Sequence, residues 1–147
     1  MSIETDAVWP RGVPAVGQRA ERTRAVGKRD IELFTQISGD RNPIHYDEAL
    51  AEQTRFGEIV VQGGVTSAIL NAVVAEDLPG PGTVFLHVDW SFKAPVRPGD
   101  EIIGRVEVLE VRTDKPITKL KTEVIRNDGT LVLDGSALCY TMPLAQS

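Results

Sequence analysis

Cysteine and histidine are scarce in this 147-residue chain: Cys139 is the sole cysteine, and His45 and His87 are the two histidines. One thiol excludes an internal disulfide, and so few soft ligands exclude the usual Cys/His zinc clusters, so no metal site is expected. Long apolar runs are also missing. Nothing approaches the roughly 20 residues that span a bilayer, and the opening Met1-Ser2-Ile3-Glu4-Thr5-Asp6 has neither the basic start nor the apolar centre of a secretory signal. The expectation is a cytoplasmic chain with no membrane partner. An excess of positive charge is absent as well, since the formal net charge is −5, which argues against a nucleic-acid partner. Local cations at Lys93, Arg97, Arg112, Lys115, Lys119 and Lys121 can hold a phosphorylated group, although each also reads as a solvated strand edge or turn.

What is present is one domain's worth of ordinary globular sequence, 41% hydrophobic and 25% charged. A domain of about 150 residues buries roughly 68–70% of its unfolded surface, enough for a core without covalent staples. Residues 1–14, with Trp9-Pro10-Arg11-Gly12, lack periodicity and are expected to form a flexible arm ahead of a single domain over 15–147. Gln18 to Val26 alternates like a strand. From Asp30, a helix-capping residue, Ile31, Phe34 and Ile37 recur near helical spacing until Gly39. Asp47 to Gln53 reads as a second short helix. Residues 65–78 are apolar around most of a helical circumference, which predicts a buried central helix, stopped by Pro79-Gly80-Pro81-Gly82. Four strand-like runs follow. In the first, Val84, Leu86, Val88, Trp90 and Phe92 alternate with polar residues and predict one apolar face; then come Ile102 to Val111, Ile117 to Arg126 and Leu131 to Met142, with Asn127-Asp128-Gly129 marking a hairpin. An α+β fold in which an antiparallel sheet wraps one long helix satisfies all these faces.

Between Gly39 and Asp47 the chain reads Gly-Asp-Arg-Asn-Pro-Ile-His-Tyr-Asp. A carboxylate, Asp40, and an imidazole, His45, held over one small space can share a water molecule and trade its protons near neutral pH. Turn chemistry alone also accounts for Asp40, Asn42 and Pro43, because Asp and Asn cap helix ends and Pro starts turns. Gly63-Gly64 permits a tight entry into the central helix. His87 reads as a polar strand-face or interface residue, and Cys139 has no acid–imidazole neighbour that would make it a nucleophile.

Ser38-Gly39-Asp40-Arg41-Asn42-Pro43-Ile44-His45, then Arg55-Phe56-Gly57, Gly63, Ser91-Phe92-Lys93-Ala94-Pro95-Val96, Gly99-Asp100-Glu101 and Asp114-Lys115-Pro116-Ile117 resemble the MaoC-like, (R)-specific enoyl-CoA hydratases. The likeness runs from about Gly17 to Met142. It implies a single hot-dog domain and a homodimer or higher homo-oligomer whose acyl tunnel lies near the subunit interface. It implies that Asp40 and His45 are the catalytic pair and that the Gly63 amide binds the thioester oxygen. Asn42, Gln62, Gly64, Asn71, Arg55 and Phe56 are the expected substrate-binding set. Two positions depart from the family, which commonly has histidine where this chain has Gln62 and a bulkier apolar residue where it has Gly64. Asn71 stands where some relatives have a supporting serine.

The implied reaction is reversible hydration of trans-2-enoyl-CoA to (R)-3-hydroxyacyl-CoA, with no cofactor beyond the CoA or acyl carrier protein that carries the substrate. Dehydration of 3-hydroxyacyl groups on acyl carrier protein is the same chemistry on another carrier. Thioester hydrolysis and a non-catalytic acyl-binding subunit are the competing readings.

Overall fold

Five strands organise the molecule, β1 (Arg19–Ala25), β2 (Thr83–Phe92), β3 (Glu101–Val111), β4 (Ile117–Arg126) and β5 (Leu131–Thr141), and buried residues alternate along β3, β4 and the second half of β5. The computed structural model describes residues 8, 9 and 11–144; expectations for 1–7, 10 and 145–147 lie outside the described residues. All the pairings are antiparallel, in the order β1-β3-β4-β5-β2. Directly opposed residues share a face, so Val106, Thr122, Gly135 and Trp90 form one row across the sheet, and Gly104, Val124, Leu133 and Phe92 the next. Gly135 leaves room in its row, and the Trp90 indole reaches over it to donate to Thr122 Oγ1 at 2.9 Å. The opposite face carries cross-strand ion pairs, Arg19–Glu107 at 2.7 Å and Arg105–Glu123 at 3.1 Å. One face is therefore core and the other solvated, the usual division of an antiparallel sheet.

The core face is covered by α3 (Gly63–Ala72), continued by a π-helical turn, Val73–Asp77. Val65, Ile69, Leu70, Val73, Val74 and Leu78 are buried against Ile102, Val106, Val108, Leu120 and Val124. Gly104 brings the helix close, because a Cβ there would lie 2.6 Å from Ile69 Cγ2. The arrangement is the hot-dog fold, one helix in a curved antiparallel sheet. Arg22 of β1 clasps Asp77 through Nε at 2.7 Å and Nη2 at 3.2 Å, tying the far end of the π turn to the sheet.

Two shorter helices precede α3: α1 (Lys28–Ser38) and α2 (Glu48–Glu52). Gly27 is the N-cap of α1, and Asp30 acts from the third helical position, where its carboxylate accepts the Gly27 N–H at 2.8 Å. Gly39 ends α1 in the left-handed region, φ 79°, with its N–H bonded to Thr35 O at 2.7 Å.

Three expectations need correction. The strand over 84–92 does not keep one apolar face: a β-bulge between Phe85 and His87 shifts the register, so Phe85 shares the core side with Val88, Trp90 and Phe92 while Val84 does not. Nor is the central helix buried all round, since Asn71 and Ala68 are exposed. Ile37 does not join the buried stripe of α1 either; it is 84% exposed, and Ile31 and Thr35 are the buried pair. Within the expected arm, Trp9 is buried and donates its indole N–H to Arg112 O at 3.0 Å. Cys139 lies in the core of β5, where burial pushes its thiol up to about 12, removing it as a nucleophile near neutral pH. Among the described residues, no helix is long and apolar enough to cross a membrane.

Candidate active site

The loop after α1 is fastened at nearly every residue. Ser38 Oγ accepts the Asp40 N–H at 3.0 Å, Asp40 Oδ1 accepts the Asn42 N–H at 3.0 Å, and Asn42 Oδ1 accepts the Ile44 N–H at 3.3 Å. Pro43 starts a 3-10 turn, Pro43–His45, for which its fixed φ is well suited. Asp47 then caps α2 by accepting the Leu50 N–H at 3.1 Å. The segment is thus a chain of side-chain turns, and it delivers His45 inward.

His45 is 7% exposed, with Nδ1 2.6 Å from Val60 O and Nε2 3.7 Å from Asp40 Oδ2. A carbonyl only accepts, so Nδ1 carries a proton, and Nε2 is the ring nitrogen that faces the carboxylate. The Asp40 side chain is 38% exposed, so the pair stands between the core and solvent. The sequence-predicted pair is therefore brought together. Asn42 shapes the loop through three bonds, its N–H to Asp40 Oδ1, its Oδ1 from the Ile44 N–H and its carbonyl from the His45 N–H.

Val60, which holds His45, is followed by Val61, Gln62 and Gly63, and Gly63 opens α3. Its N–H lies in the first helical turn, where backbone donors have no intrahelical acceptor and the dipole favours negative charge. Gly63 is exposed and borders a cleft of about 230 Å³, together with Val61, Thr66, Phe92 and Val96. Arg55, Phe56 and Lys93 line the same cleft, with the Arg55 guanidinium 5.5 Å from the Phe56 ring centre. Arg97 backs this wall by donating to Phe56 O at 3.2 Å. Asp40 and His45 do not line this cleft; they are joined to it through the Val60–Gly63 segment.

The remaining expected positions divide. Gln62 is 2% exposed and points into the protein, donating from Nε2 to Ile31 O and to Thr35 Oγ1, each at 3.1 Å. Gly64 does not border the cleft; a Cβ there would fall 2.0 Å from the Phe34 ring, which occupies the volume of the missing side chain. Asn71 is exposed about 200° around α3 from both Ile69 and Val73, so it faces away from the sheet. Among the basic residues singled out in the sequence, Lys93 reaches the cleft, whereas Arg112 pairs bidentately with Asp114, at 2.9 and 2.5 Å, which raises the guanidinium and lowers the carboxyl from their ordinary values.

Sequence reasoning missed three neighbours of the site. Thr66 and Phe92 line the cleft; Phe92 sits in an alternating strand and reads as core, and its 56% exposure follows from the end position of β2 in the sheet. Thr35, beneath Asp40, is the third. Its signal was a polar residue four positions after Ile31, on the face of α1 that is buried.

The family model of the MaoC like domain matches residues 13–129. The chain is 37% identical over 123 residues to an (R)-specific enoyl-CoA hydratase of Aeromonas caviae, covering 84% of this chain and 92% of that protein. It is 38% identical over 115 residues to a 3-hydroxybutyryl-CoA dehydratase of Methylorubrum extorquens, covering 78% and 73% respectively. The solved R-hydratase of Pseudomonas aeruginosa in its unliganded form superposes with a TM-score of 0.83 at 36% identity, over 96% of this chain and 93% of that one.

Proposed function

The chain belongs to the MaoC-like domain family, and from that premise we propose that it hydrates trans-2-enoyl-CoA reversibly to (R)-3-hydroxyacyl-CoA. The observation that carries the reading is the Asp40–His45 pair, a carboxylate oxygen and an imidazole nitrogen 3.7 Å apart beside a helix N-terminus. With the ring neutral, two acceptors at that separation suit one water molecule, which can donate a hydrogen to each and keep its oxygen lone pairs free.

In the proposed reaction the water oxygen bonds to C3 of the enoyl group while one of its protons passes to the Asp40–His45 pair. The pair returns a proton to C2. Negative charge develops meanwhile on the thioester oxygen, and the Gly63 N–H is the donor assigned to it. No electrons change hands, so the chemistry calls for no redox cofactor. Arg55 and Lys93 place two cations at the cleft, which suits the phosphates of a CoA carrier. Arg55 and Phe56 keep their substrate-binding assignment, and Gln62, Gly64 and Asn71 are reassigned to roles behind or away from the cleft.

We further propose that the working form is a cytoplasmic homodimer. Val84, Leu86, Val88 and Phe92 are 38–56% exposed on β2, an edge strand, and an exposed apolar edge invites strand pairing. Phe92 continues from that edge into the cleft beside Gly63, so a second copy there would enclose the acyl chain.

The deciding experiment follows crotonyl-CoA for loss of the enoyl absorbance and for free thiol together. Hydration without thiol release is expected; thiol release without hydration would establish a thioesterase instead. General acid–base groups contribute about 10²–10⁴ in rate, so Asp40→Asn and His45→Gln should each lower kcat by about that factor with little change in KM. Parental turnover in either variant, shown folded by circular dichroism, would refute the assignment.

A further inference from the structure

The Gln62 amide joins the two halves of the site from inside the protein. Ile31 O can only accept, so the Gln62 atom facing it must be the amide nitrogen, and this fixes the orientation of the whole group. The same nitrogen donates to Thr35 Oγ1. A threonine hydroxyl has one proton and two lone pairs; with Gln62 and the Tyr46 hydroxyl donating to the lone pairs, that proton goes to a carbonyl, and Asp40 O at 2.8 Å is nearer than Ile31 O at 3.0 Å. The one proton of the Tyr46 hydroxyl is then given to Thr35 Oγ1, and Glu32 Oε2 lies 3.1 Å from the same hydroxyl.

Gln62 is 2% exposed and Thr35 is 3% exposed, so these bonds are shielded from competing water. Gln62 Oε1 is buried and meets no donor among the described residues. A buried orphan acceptor costs free energy that an apolar side chain of similar volume would avoid, so packing alone does not account for glutamine here. The two N–H bonds do. Gln62 is also the N-cap of α3, one residue before Gly63, while Asp40 O belongs to the residue whose carboxylate faces His45. Two successive hydrogen bonds, Gln62 to Thr35 and Thr35 to Asp40, therefore bridge the helix start and the acid loop.

We infer that Gln62 and Thr35 are positioning residues that hold the Asp40 carboxylate and the Gly63 N–H in one frame. The inference rests on the hydration reading, in which those two groups act on the same substrate. Neither residue touches the reacting atoms. Their effect is geometric, and misplacement of about 1 Å can cost about 10²-fold in rate.

The test compares Thr35→Val, Thr35→Ser, Gln62→Met and the Thr35→Val/Gln62→Met double variant with Asp40→Asn as reference. Valine keeps the shape and branching of threonine without its hydroxyl. Thr35→Val and Gln62→Met are expected to lower kcat by about 10- to 100-fold with KM nearly unchanged, and to displace the pH profile of kcat/KM as Asp40 moves relative to His45. Serine should restore most of the rate. Because the two residues act in one chain, the double variant should be no slower than the slower single variant. Parental kcat in Thr35→Val, serine as slow as valine, or losses that multiply in the double variant would each overturn the clamp.

Amide hydrogen exchange gives a readout independent of activity. Thr35→Val should accelerate exchange both in residues 40–46 and at the start of α3, and unchanged exchange at either end would overturn the inference. If instead Asp40→Asn keeps parental turnover, the hydration reading fails, and exchange still judges the clamp.

Discussion

At Gly64 the missing side chain is replaced by a ring from another element. A Cβ there would lie 2.0 and 2.1 Å from two atoms of the Phe34 ring, far inside contact distance, and Phe34 packs against the core cluster. Overpacking of this kind typically costs about 1–3 kcal/mol. Gly64→Ala should therefore lower the unfolding free energy measured in urea by that amount, and adding Phe34→Leu should recover part of the loss. Equal stability of Gly64→Ala and the parent would show that Phe34 swings away freely. Gly63 differs although it is the next residue back: its Cβ would meet Phe92 Cε1 at 3.2 Å, a contact with a half-exposed ring. The sequence displays Gly63-Gly64 as one flexible pair. Their separate roles were not legible because each is defined by an aromatic ring about 30 residues away, one in α1 and one in β2. Asp40 and His45 were legible, since the bonds that shape their loop are local turns written into consecutive residues.

Elements were legible where local periodicity and tertiary packing agree. The hairpin at Asn127-Asp128-Gly129 forms as its turn chemistry requires, with Gly129 at φ 87° and Arg126 N–H bonded to Thr130 O at 2.9 Å. For β2 the alternation was visible, but a period of two carries no sign of an inserted residue, so the bulge at Phe85/His87 and the change of face were not. In α1 the hydropathy count favoured Ile37, whereas the buried position went to Thr35, whose hydroxyl is needed for Gln62 and Asp40. The seating of α3 on β3 was hidden for a similar reason, because Gly104 looks like a weak point in a strand. It is the place where Ile69 enters. Gly104→Ala would set a Cβ 2.6 Å from Ile69 Cγ2 and 3.1 Å from Cγ1, and Ile69 is itself buried at 4%. The helix must then lift or Ile69 must leave its place. The expected result is a loss of about 1–3 kcal/mol in chemical unfolding, eased by Ile69→Ala in the double variant. Purely additive losses would show that the two residues do not share the contact.

In the whole molecule, β2 has a strand neighbour on one side alone among the described residues. The sheet order β1-β3-β4-β5-β2 leaves β1 and β2 at its edges, and they are unlike. β1 reads Arg19-Ala20-Glu21-Arg22-Thr23-Arg24-Ala25, a charged edge of the kind that resists strand addition. β2 carries Val84, Leu86, Val88 and Phe92 exposed. Charge thus covers one edge and is sparse on the other, which supports the proposal that a second copy adds at β2. If two copies meet there, each contributes a Phe92 and a cleft bordered by Gly63, and assembly and catalysis become linked. Size-exclusion chromatography with light scattering should give twice the 16.0 kDa of one chain. Leu86→Asp places a charge on the exposed bulge, away from Asp40 and His45, and should shift the mass to that of one chain at micromolar concentration. Hydration of crotonyl-CoA should fall with the dimer fraction and recover as protein concentration is raised, because mass action restores the closed cleft. A Leu86→Asp protein that is monomeric yet fully active would separate the two properties and place the whole acyl site within one chain.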